Sequence, residues 1–117
     1  MSKPSKTFKV IPTDNFLSEA KNLLKKYPNI KDDFLAPADM LKCDPITGND
    51  YIGRQCYKVG MQISDKKKGE SGAARVIVNI EISDREVYVL SVYDKGNQST
   101  ISEKELNKLL AKKSLIN

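Results

Sequence analysis

Three runs of residues with high β-propensity follow one another in the second half of the chain, and their spacing restricts the fold more than any other feature. The runs cover residues 55–63, 74–83 and 86–93 and are rich in Val, Ile and Tyr. A tight Ser-Asp-Arg connection at 83–85 joins the last two runs. Residues 64–72 separate the first two, which is long for a hairpin loop. We therefore expect the runs to pair as an antiparallel meander.

The first half of the chain is predicted to be mainly helical. Residues 7–11 form a short β-prone run that Pro12 stops, and either Thr13 or Asp14 can cap the helix that follows. Pro28 ends that helix. The apolar residues at helical spacing on one face of it are Phe16, Leu17, Ala20, Leu23, Leu24 and Tyr27.

A second helical stretch covers residues 30–41, and Asn29 can cap it. Pro37 lies inside this stretch, where a proline removes a backbone donor and kinks or splits a helix. We expect two helical pieces there, or one bent helix. Residues 44–53 carry Asp-Pro and Thr-Gly-Asn-Asp signals that are typical of turns, so they are expected to form a connecting loop.

A last helix is predicted over residues 101–113. Ser102 and Glu105 have the spacing of a capping box, in which the hydroxyl and the carboxylate each satisfy a backbone donor. The predicted order is β-α-α-β-β-β-α. This order indicates an α+β fold in which two N-terminal helices pack on one face of an antiparallel sheet, with a C-terminal helix. The first strand is expected to join the meander or to stay unpaired.

The composition limits the chemistry that the chain can perform. Its 117 residues fit a single domain over residues 1–117, and 20 Lys and Arg against 15 Asp and Glu give a net charge of +5. Long-range electrostatics therefore favour an anionic partner. The sequence contains no His, which removes the commonest general base and metal ligand. Catalysis must then use Lys, Arg, Tyr or carboxylates, and we expect neither a metal nor another cofactor.

The cysteine count and the hydropathy pattern bear on the compartment. Cys43 and Cys56 are too few for a disulfide framework, and too few for a zinc site without His. We interpret both as small apolar side chains in a reducing cytoplasm rather than as nucleophiles. No segment approaches the run of about 20 apolar residues that spans a bilayer, so no membrane association is expected.

Basic side chains fall at positions that the predicted strands bring together. Alternation along the first run places Lys58 on its polar face with Cys56 and Gly60, and Arg75 at the start of the second run can share that face. Tyr93 ends the third run, and Lys95 follows just past its end. The residues expected to line one polar concavity, beside the lysine loop at 66–68, are Lys58, Arg75, Tyr93 and Lys95.

Fixed cations in such a concavity suit the binding and cleavage of a phosphodiester, because they offset the charge that builds on phosphoryl oxygens in the transition state. A lysine flanked by other cations has its charged form disfavoured, which can provide a neutral amine as a base without His. Residues 54–75 hold six Lys and Arg against two carboxylates, so the excess charge is concentrated there.

Simpler interpretations of the same residues stay open. The lysine run at 66–68 fits a solvated loop that keeps the domain soluble. Tyr93 fits ordinary sheet packing. Arg75 fits a surface ion pair of little energetic consequence. The acidic residues considered as its partners are Glu70, Glu81 and Asp94.

Four sequence segments resemble toxins of the RelE/ParE superfamily, most closely the RelE-like and HigB-like branch. The segments are CYKV at 56–59, KKKGESGAARVI at 66–77, SVYDK at 91–95 and Ile-Ser at 101–102. The resemblance runs from about residue 8 to residue 110. It implies a small cytoplasmic endoribonuclease that cuts mRNA in the A site of the ribosome and is silenced by a cognate antitoxin protein.

The resemblance also implies roles for individual residues. It assigns Lys58 as the base or an assistant to the base, Arg75 as the group that stabilises phosphoryl charge, and Lys95 as a contact to the phosphate or leaving group. The implied reaction is metal-independent attack by the ribose 2′-hydroxyl on the adjacent phosphate, which gives a 2′,3′-cyclic phosphate. The residues expected to bind substrate are Arg54, Lys66, Lys67, Lys68 and Tyr93.

Two positions depart from the family's pattern. Gly60 stands where many relatives have a second strand cation, and Ile101 stands where some RelE toxins have a tyrosine. A catalytically weakened toxin that keeps only its antitoxin-binding surface is therefore one alternative. A ParE-like inhibitor of DNA gyrase on the same fold is another, although the lysine loop favours the ribonuclease.

Overall fold

A mixed β-sheet forms the middle layer of the protein. The computed structural model describes residues 7–66, 73–98 and 100–113, and five strands lie within these ranges. The strands are β1 (Lys9–Pro12), β2 (Asp50–Gly53), β3 (Cys56–Gln62), β4 (Ala73–Glu81) and β5 (Glu86–Asp94). Their order across the sheet is β1-β5-β4-β3-β2. The antiparallel pairing of β3, β4 and β5 confirms the predicted meander.

The expectation of an antiparallel sheet is wrong at one edge, where β1 pairs in parallel with β5. Residues 7–11 and 86–93 are distant in sequence, so no short turn imposes an antiparallel direction on them. Helical segments follow β1 directly, and a long connection of this kind permits parallel pairing.

The expectation of a loop over residues 44–53 is also wrong in part, because its last four residues form β2. Asp50 of β2 lies opposite Lys58, and Tyr51 lies opposite Tyr57 with the two rings 5.2 Å apart. The turn to β3 uses left-handed backbone at Arg54 and Gln55, with φ 54° and 61°, and Gly53 before it has φ 96°. Glycine adopts this conformation without steric cost, and Arg54 and Gln55 form the two-residue turn of a short hairpin.

Within the described residues, four helical segments accompany the sheet. They are α1 (Asp14–Lys26), α2 (Ile30–Asp33), α3 (Leu35–Cys43) and α4 (Glu103–Lys113). The prediction of two helical pieces after α1 is confirmed, but the break falls at Phe34 rather than at Pro37. Pro37 lies in the first turn of α3, where its missing N–H costs least. None of the described helices combines the length and apolar character needed to cross a membrane.

Buried apolar side chains cover both faces of the sheet. On one face, Tyr27 just after α1, Ile30 of α2 and Leu41 of α3 join a core formed with strand residues of β3, β4 and β5. Leu17 and Leu24, which the predicted helix face included, are exposed instead. On the other face, the side chains that pack together around α4 are Cys56, Ile77, Leu90, Tyr93 and Leu106.

Thr13 joins β1, α1 and β5. It is the N-cap of α1, where its Oγ1 accepts a hydrogen bond from the backbone N–H of Phe16 at 3.3 Å. The same hydroxyl donates to the carbonyl oxygen of Val89 at 2.9 Å, and the side chain is buried. One hydroxyl therefore satisfies both a helix terminus and a strand carbonyl.

Replacing Thr13 by Val removes this hydroxyl while it keeps the branched shape of the side chain. We expect Thr13→Val to lower the free energy of unfolding by about 1–2 kcal/mol, because the helix loses its cap and Val89 loses a donor. Urea unfolding followed by circular dichroism measures the change. Thr13→Ser keeps the hydroxyl and is the matched control. Equal unfolding midpoints for Thr13→Val and the unmodified protein would contradict the proposed role of the cap.

Candidate functional site

The pairing register places the predicted cationic residues of β3 and β4 on the same face of the sheet. Arg75 lies opposite Gly60 on one side and Tyr93 on the other, and Lys58 lies opposite Ile77. Lys58 and Arg75 are therefore diagonal neighbours, for which the separation is about 7–8 Å. We call Lys58, Arg75 and Tyr93, together with Lys95, the cationic face.

Arg75 is half-buried, and its environment leaves most of the guanidinium free. Its Nη1 donates to the carbonyl oxygen of Ala74 at 3.2 Å. A Cβ on Gly60 would lie 3.7 Å from Nη1, so the guanidinium passes over the glycine. Within the described residues, Arg75 forms no ion pair.

The acidic partners considered for Arg75 from sequence are engaged elsewhere. Glu81 accepts a hydrogen bond from Lys113 at 2.6 Å. Asp94 accepts one from Lys66 at 2.7 Å. Glu70 lies outside the described residues. The positive charge of Arg75 therefore faces the open part of the sheet.

Tyr93 lies directly beside Arg75 and is only 7% exposed. Its hydroxyl is buried, and it has no hydrogen-bond partner among the residues that the structure describes. Burial raises the pKa of this phenol, an effect that Arg75 opposes and Glu105 reinforces. The hydroxyl therefore stays protonated at neutral pH. Tyr93 lines a cavity of about 190 Å³ together with Ile101 and Glu105.

Lys95 follows β5 directly and is exposed. The register pairs Asp94 with Ala74 and Tyr93 with Arg75, so Lys95 lies at the same end of the sheet as Arg75. The backbone turns immediately after this point. Lys95 is thus at the rim of the cationic face rather than on a strand.

The predicted substrate-binding lysines of the loop divide into two cases. The side chain of Lys66 is 9% exposed, and its Nζ lies 2.7 Å from Oδ1 of the buried Asp94. Its ammonium is therefore committed to a carboxylate and does not face solvent as a loop lysine was expected to do. Lys67 and Lys68 lie outside the described residues.

Arg54 is placed apart from the other predicted residues. It lies in the turn between β2 and β3, with a left-handed φ of 54°. Its Nη2 is 3.9 Å from Oε2 of Glu103, and both side chains are largely exposed, so the pair adds little stability. Cys56 and Gly60 are four residues apart on β3, a distance of about 13 Å, and Arg54 lies beyond Cys56. The structure thus brings Arg54 close to α4 rather than to Arg75.

Two buried polar anchors of the sheet were not identified from the sequence. Asn79 is buried and donates to the carbonyl oxygens of Arg54 and Gln55, while its Oδ1 accepts a hydrogen bond from Lys113 at 2.7 Å. Asp94 is the other anchor, and it accepts the hydrogen bond from Lys66. A polar residue inside or at the end of an apolar strand is the only sequence signal for either of them.

The two cysteines differ in their environment. Cys56 is fully buried beside Asn79, and burial raises the pKa of its thiol despite nearby Asn79, Lys113 and Arg54. It is a packed, protonated thiol, as interpreted from the sequence. Cys43 is exposed at the end of α3 rather than packed.

Comparison with known proteins supports the fold. The chain is similar to the structure of an arginine-to-alanine double mutant of the E. coli toxin RelE in the free state, with a TM-score of 0.58. The sequences are 18% identical, and the match covers 87% of this chain and 96% of that chain. No protein-family model matches the chain, and no curated protein matches it. The chain therefore has a RelE-like fold, which agrees with the fold that its motifs implied.

Tyr93→Phe removes only the unpartnered hydroxyl. We expect the free energy of unfolding to stay equal or to rise by up to about 1 kcal/mol, because no hydrogen bond is lost and a buried polar atom is removed. Tyr27→Phe is the matched control, since the Tyr27 hydroxyl donates to Oδ2 of Asp94 at 2.7 Å and its removal should destabilise the protein. Urea unfolding measures both variants. A clear destabilisation by Tyr93→Phe would show that its hydroxyl has a partner.

Proposed function

We propose that this chain is the toxin of a type II toxin-antitoxin system and acts as a ribosome-dependent endoribonuclease that cleaves mRNA. The observation that carries the proposal is the cationic face. Arg75 and Lys58 lie on one face of the sheet, and Arg75 has no carboxylate partner within the described residues. An unneutralised guanidinium beside an ammonium suits a phosphodiester of RNA. The RelE-like fold supports the same class of protein.

The proposed reaction forms a bond between the ribose 2′-oxygen and the adjacent phosphorus, and it breaks the bond from phosphorus to the 5′-oxygen of the next nucleotide. Lys58 accepts the proton of the 2′-hydroxyl or assists its removal. Arg75 donates hydrogen bonds to the phosphoryl oxygens, where negative charge develops. Lys95 contacts the phosphate or the departing 5′-oxygen, which takes up a proton from water. The products are a 2′,3′-cyclic phosphate and a free 5′-hydroxyl.

The remaining predicted residues are proposed to hold the substrate. Tyr93 lies beside Arg75, and its buried hydroxyl can donate to RNA only if the side chains that cover it move. Arg54, at the far end of β3, is proposed to contact a more distant phosphate. Lys67 and Lys68 keep their proposed role as phosphate contacts. Lys66 can join them only if it leaves Asp94.

The proposed partners follow from the same charge pattern. mRNA on the ribosome, together with ribosomal RNA of the A site, supplies the phosphates that the cationic face would bind. An antitoxin with an acidic segment would cover that face and block the substrate. This function places the protein in the cytoplasm. Contacts to phosphates predict an affinity for RNA that falls steeply as the salt concentration rises.

A cleavage assay with programmed ribosomes tests the proposed function. The purified protein should cut mRNA, and Arg75→Ala should lower the rate by about 100-fold or more, because it removes the donor to the developing phosphoryl charge. Lys58→Ala and Lys95→Ala should also lower the rate. Lys25→Ala, on α1 across the sheet, removes the same charge and is the matched control, with an expected rate equal to that of the unmodified protein.

The results separate the alternatives. Absence of cleavage by the unmodified protein would reject the ribonuclease function, and inhibition of DNA supercoiling would then assign the gyrase alternative. Antitoxin binding without either activity would assign a degenerate toxin, in which Gly60 and Ile101 have replaced functional side chains. Equal cleavage by Arg75→Ala and Lys25→Ala would reject the cationic face as the site.

A further inference from the structure

Asp94 is a buried carboxylate that collects hydrogen bonds from separate parts of the chain. Its Oδ2 accepts from the hydroxyl of Tyr27 at the end of α1, at 2.7 Å. Its Oδ1 accepts from Nζ of Lys66 at 2.7 Å and from the backbone N–H of Gly96 at 2.8 Å. The side chain is 3% exposed. Asp94 therefore joins the helical layer, the segment after β3 and the turn after β5.

The backbone of Asp94 holds the same turn. Its carbonyl oxygen accepts from the N–H of Asn97 at 2.9 Å and from the N–H of Gln98 at 3.2 Å. The turn at residues 95–97 is thus held by both the side chain and the main chain of one residue. Lys95 is the first residue of this turn, so its position depends on Asp94.

Lys66 reaches Asp94 from a segment that is itself fixed. Ser64 donates hydrogen bonds from its N–H and its hydroxyl to Oδ2 of Asp33. Asp65 accepts from the backbone N–H and the side-chain amide of Asn29, both at 2.7 Å. Residues 64–66 are therefore bound to α2 and to the residue before it, and Lys66 extends that attachment to the end of β5.

We propose that Asp94 is a positioning residue for the ribonuclease activity proposed above. Asp94 fixes Lys95 at the end of the sheet at which Arg75 lies, near the start of β4. The proposal rests on that proposed function. Arg75 is paired with Tyr93, and Asp94 is the next residue, so the hydrogen bonds of Asp94 set the starting point of the turn relative to Arg75. A catalytic group that is displaced by about 1 Å can lose about 100-fold in rate.

The charge state of Asp94 agrees with this role. Burial by itself raises the pKa of the carboxyl, but the hydrogen bonds from Lys66, Tyr27 and Gly96 outweigh burial and hold the pKa below its ordinary value. Asp94 is therefore ionised at neutral pH and can accept all of these bonds at once. An amide at this position cannot do so, because its nitrogen would face one of the donors.

A double-mutant cycle between Asp94 and Lys95 tests the proposal. When Lys95 is present, Asp94→Asn should lower the rate of mRNA cleavage about 10- to 100-fold. In the Lys95→Ala background, Asp94→Asn should have little further effect, because the group that it positions is gone. Equal loss in both backgrounds would show that Asp94 acts on general structure rather than through Lys95, and would overturn the proposal.

Stability controls keep the outcome interpretable. All rates are measured at a temperature at which circular dichroism shows every variant to be folded. Thr13→Val, which destabilises the protein away from the cationic face, should keep the rate of the unmodified protein. Lys66→Met removes one donor to Asp94 while it keeps the carboxylate in the chain, and it is the second variant in case Asp94→Asn fails to fold. Its effect on the cleavage rate should likewise disappear in the Lys95→Ala background. If Lys66→Met lowers the cleavage rate by the same factor with Lys95 present and in the Lys95→Ala background, the proposal is also overturned.

The two proposals fail in different ways. Absence of cleavage by the unmodified protein would reject the ribonuclease function itself. Cleavage that requires Lys95 but is unchanged by Asp94→Asn and by Lys66→Met would keep the function and reject the positioning role.

Discussion

The register of β4 between β3 and β5 is the constraint on which the candidate site depends. Side chains alternate between the two faces of a strand, so a shift of one residue would turn Arg75 into the apolar core and Val76 toward the open face. Burial of Val76, Val78 and Ile80 under α1, α2 and α3 opposes such a shift. The same apolar packing that stabilises the sheet therefore places Arg75 between Gly60 and Tyr93.

The ion pairs divide the cations into those that bind a carboxylate of the protein and those that remain free to bind an anionic partner. Lys66 and Lys113 are largely buried and bind carboxylates, and each joins elements that are far apart in sequence. Removing either partner of the Lys66–Asp94 pair would leave a buried charge, which is costly. Within the described chain, Arg75 is without such a partner, although it is half-buried. The sheet thus holds a cation whose charge its own carboxylates leave unneutralised, beside a tyrosine hydroxyl without a described partner.

Local patterns were sufficient to predict much of the fold. Apolar spacing and Pro28 indicated α1, and Ser102 and Glu105 form the predicted capping box, in which Ser102 Oγ accepts from the N–H of Glu105 at 3.1 Å. Thr13, one of two candidates, is the cap of α1. The parallel direction of β1 could not be predicted, because it depends on contacts between segments more than 70 residues apart. β2 was missed because it has only four residues, some of them typical of turns, and so short a segment shows no clear alternation of polar and apolar side chains.

The parts of the site that depend on the alternation of side chains along a strand could be predicted. The parts that depend on hydrogen bonds between residues distant in sequence could not. Lys58 and Arg75 share a face because both lie on regular strands. Lys66 was expected in solvent because a run of lysines is usually solvated. Its partner Asp94 is 28 residues away, so only the folded chain brings the two together. Asp94 itself resembles an ordinary strand-ending residue in the sequence.

Chemical-shift mapping of RNA binding shows whether the cationic face holds the substrate. A short single-stranded RNA with methylated 2′-oxygens cannot undergo the proposed attack, so its complex with the protein can be titrated by backbone amide NMR. The account predicts that the largest shifts fall at Lys58, Arg75, Tyr93 and Lys95, and that they disappear at high salt. Shifts confined to α1, α2 and α3, or binding that salt does not weaken, would contradict it.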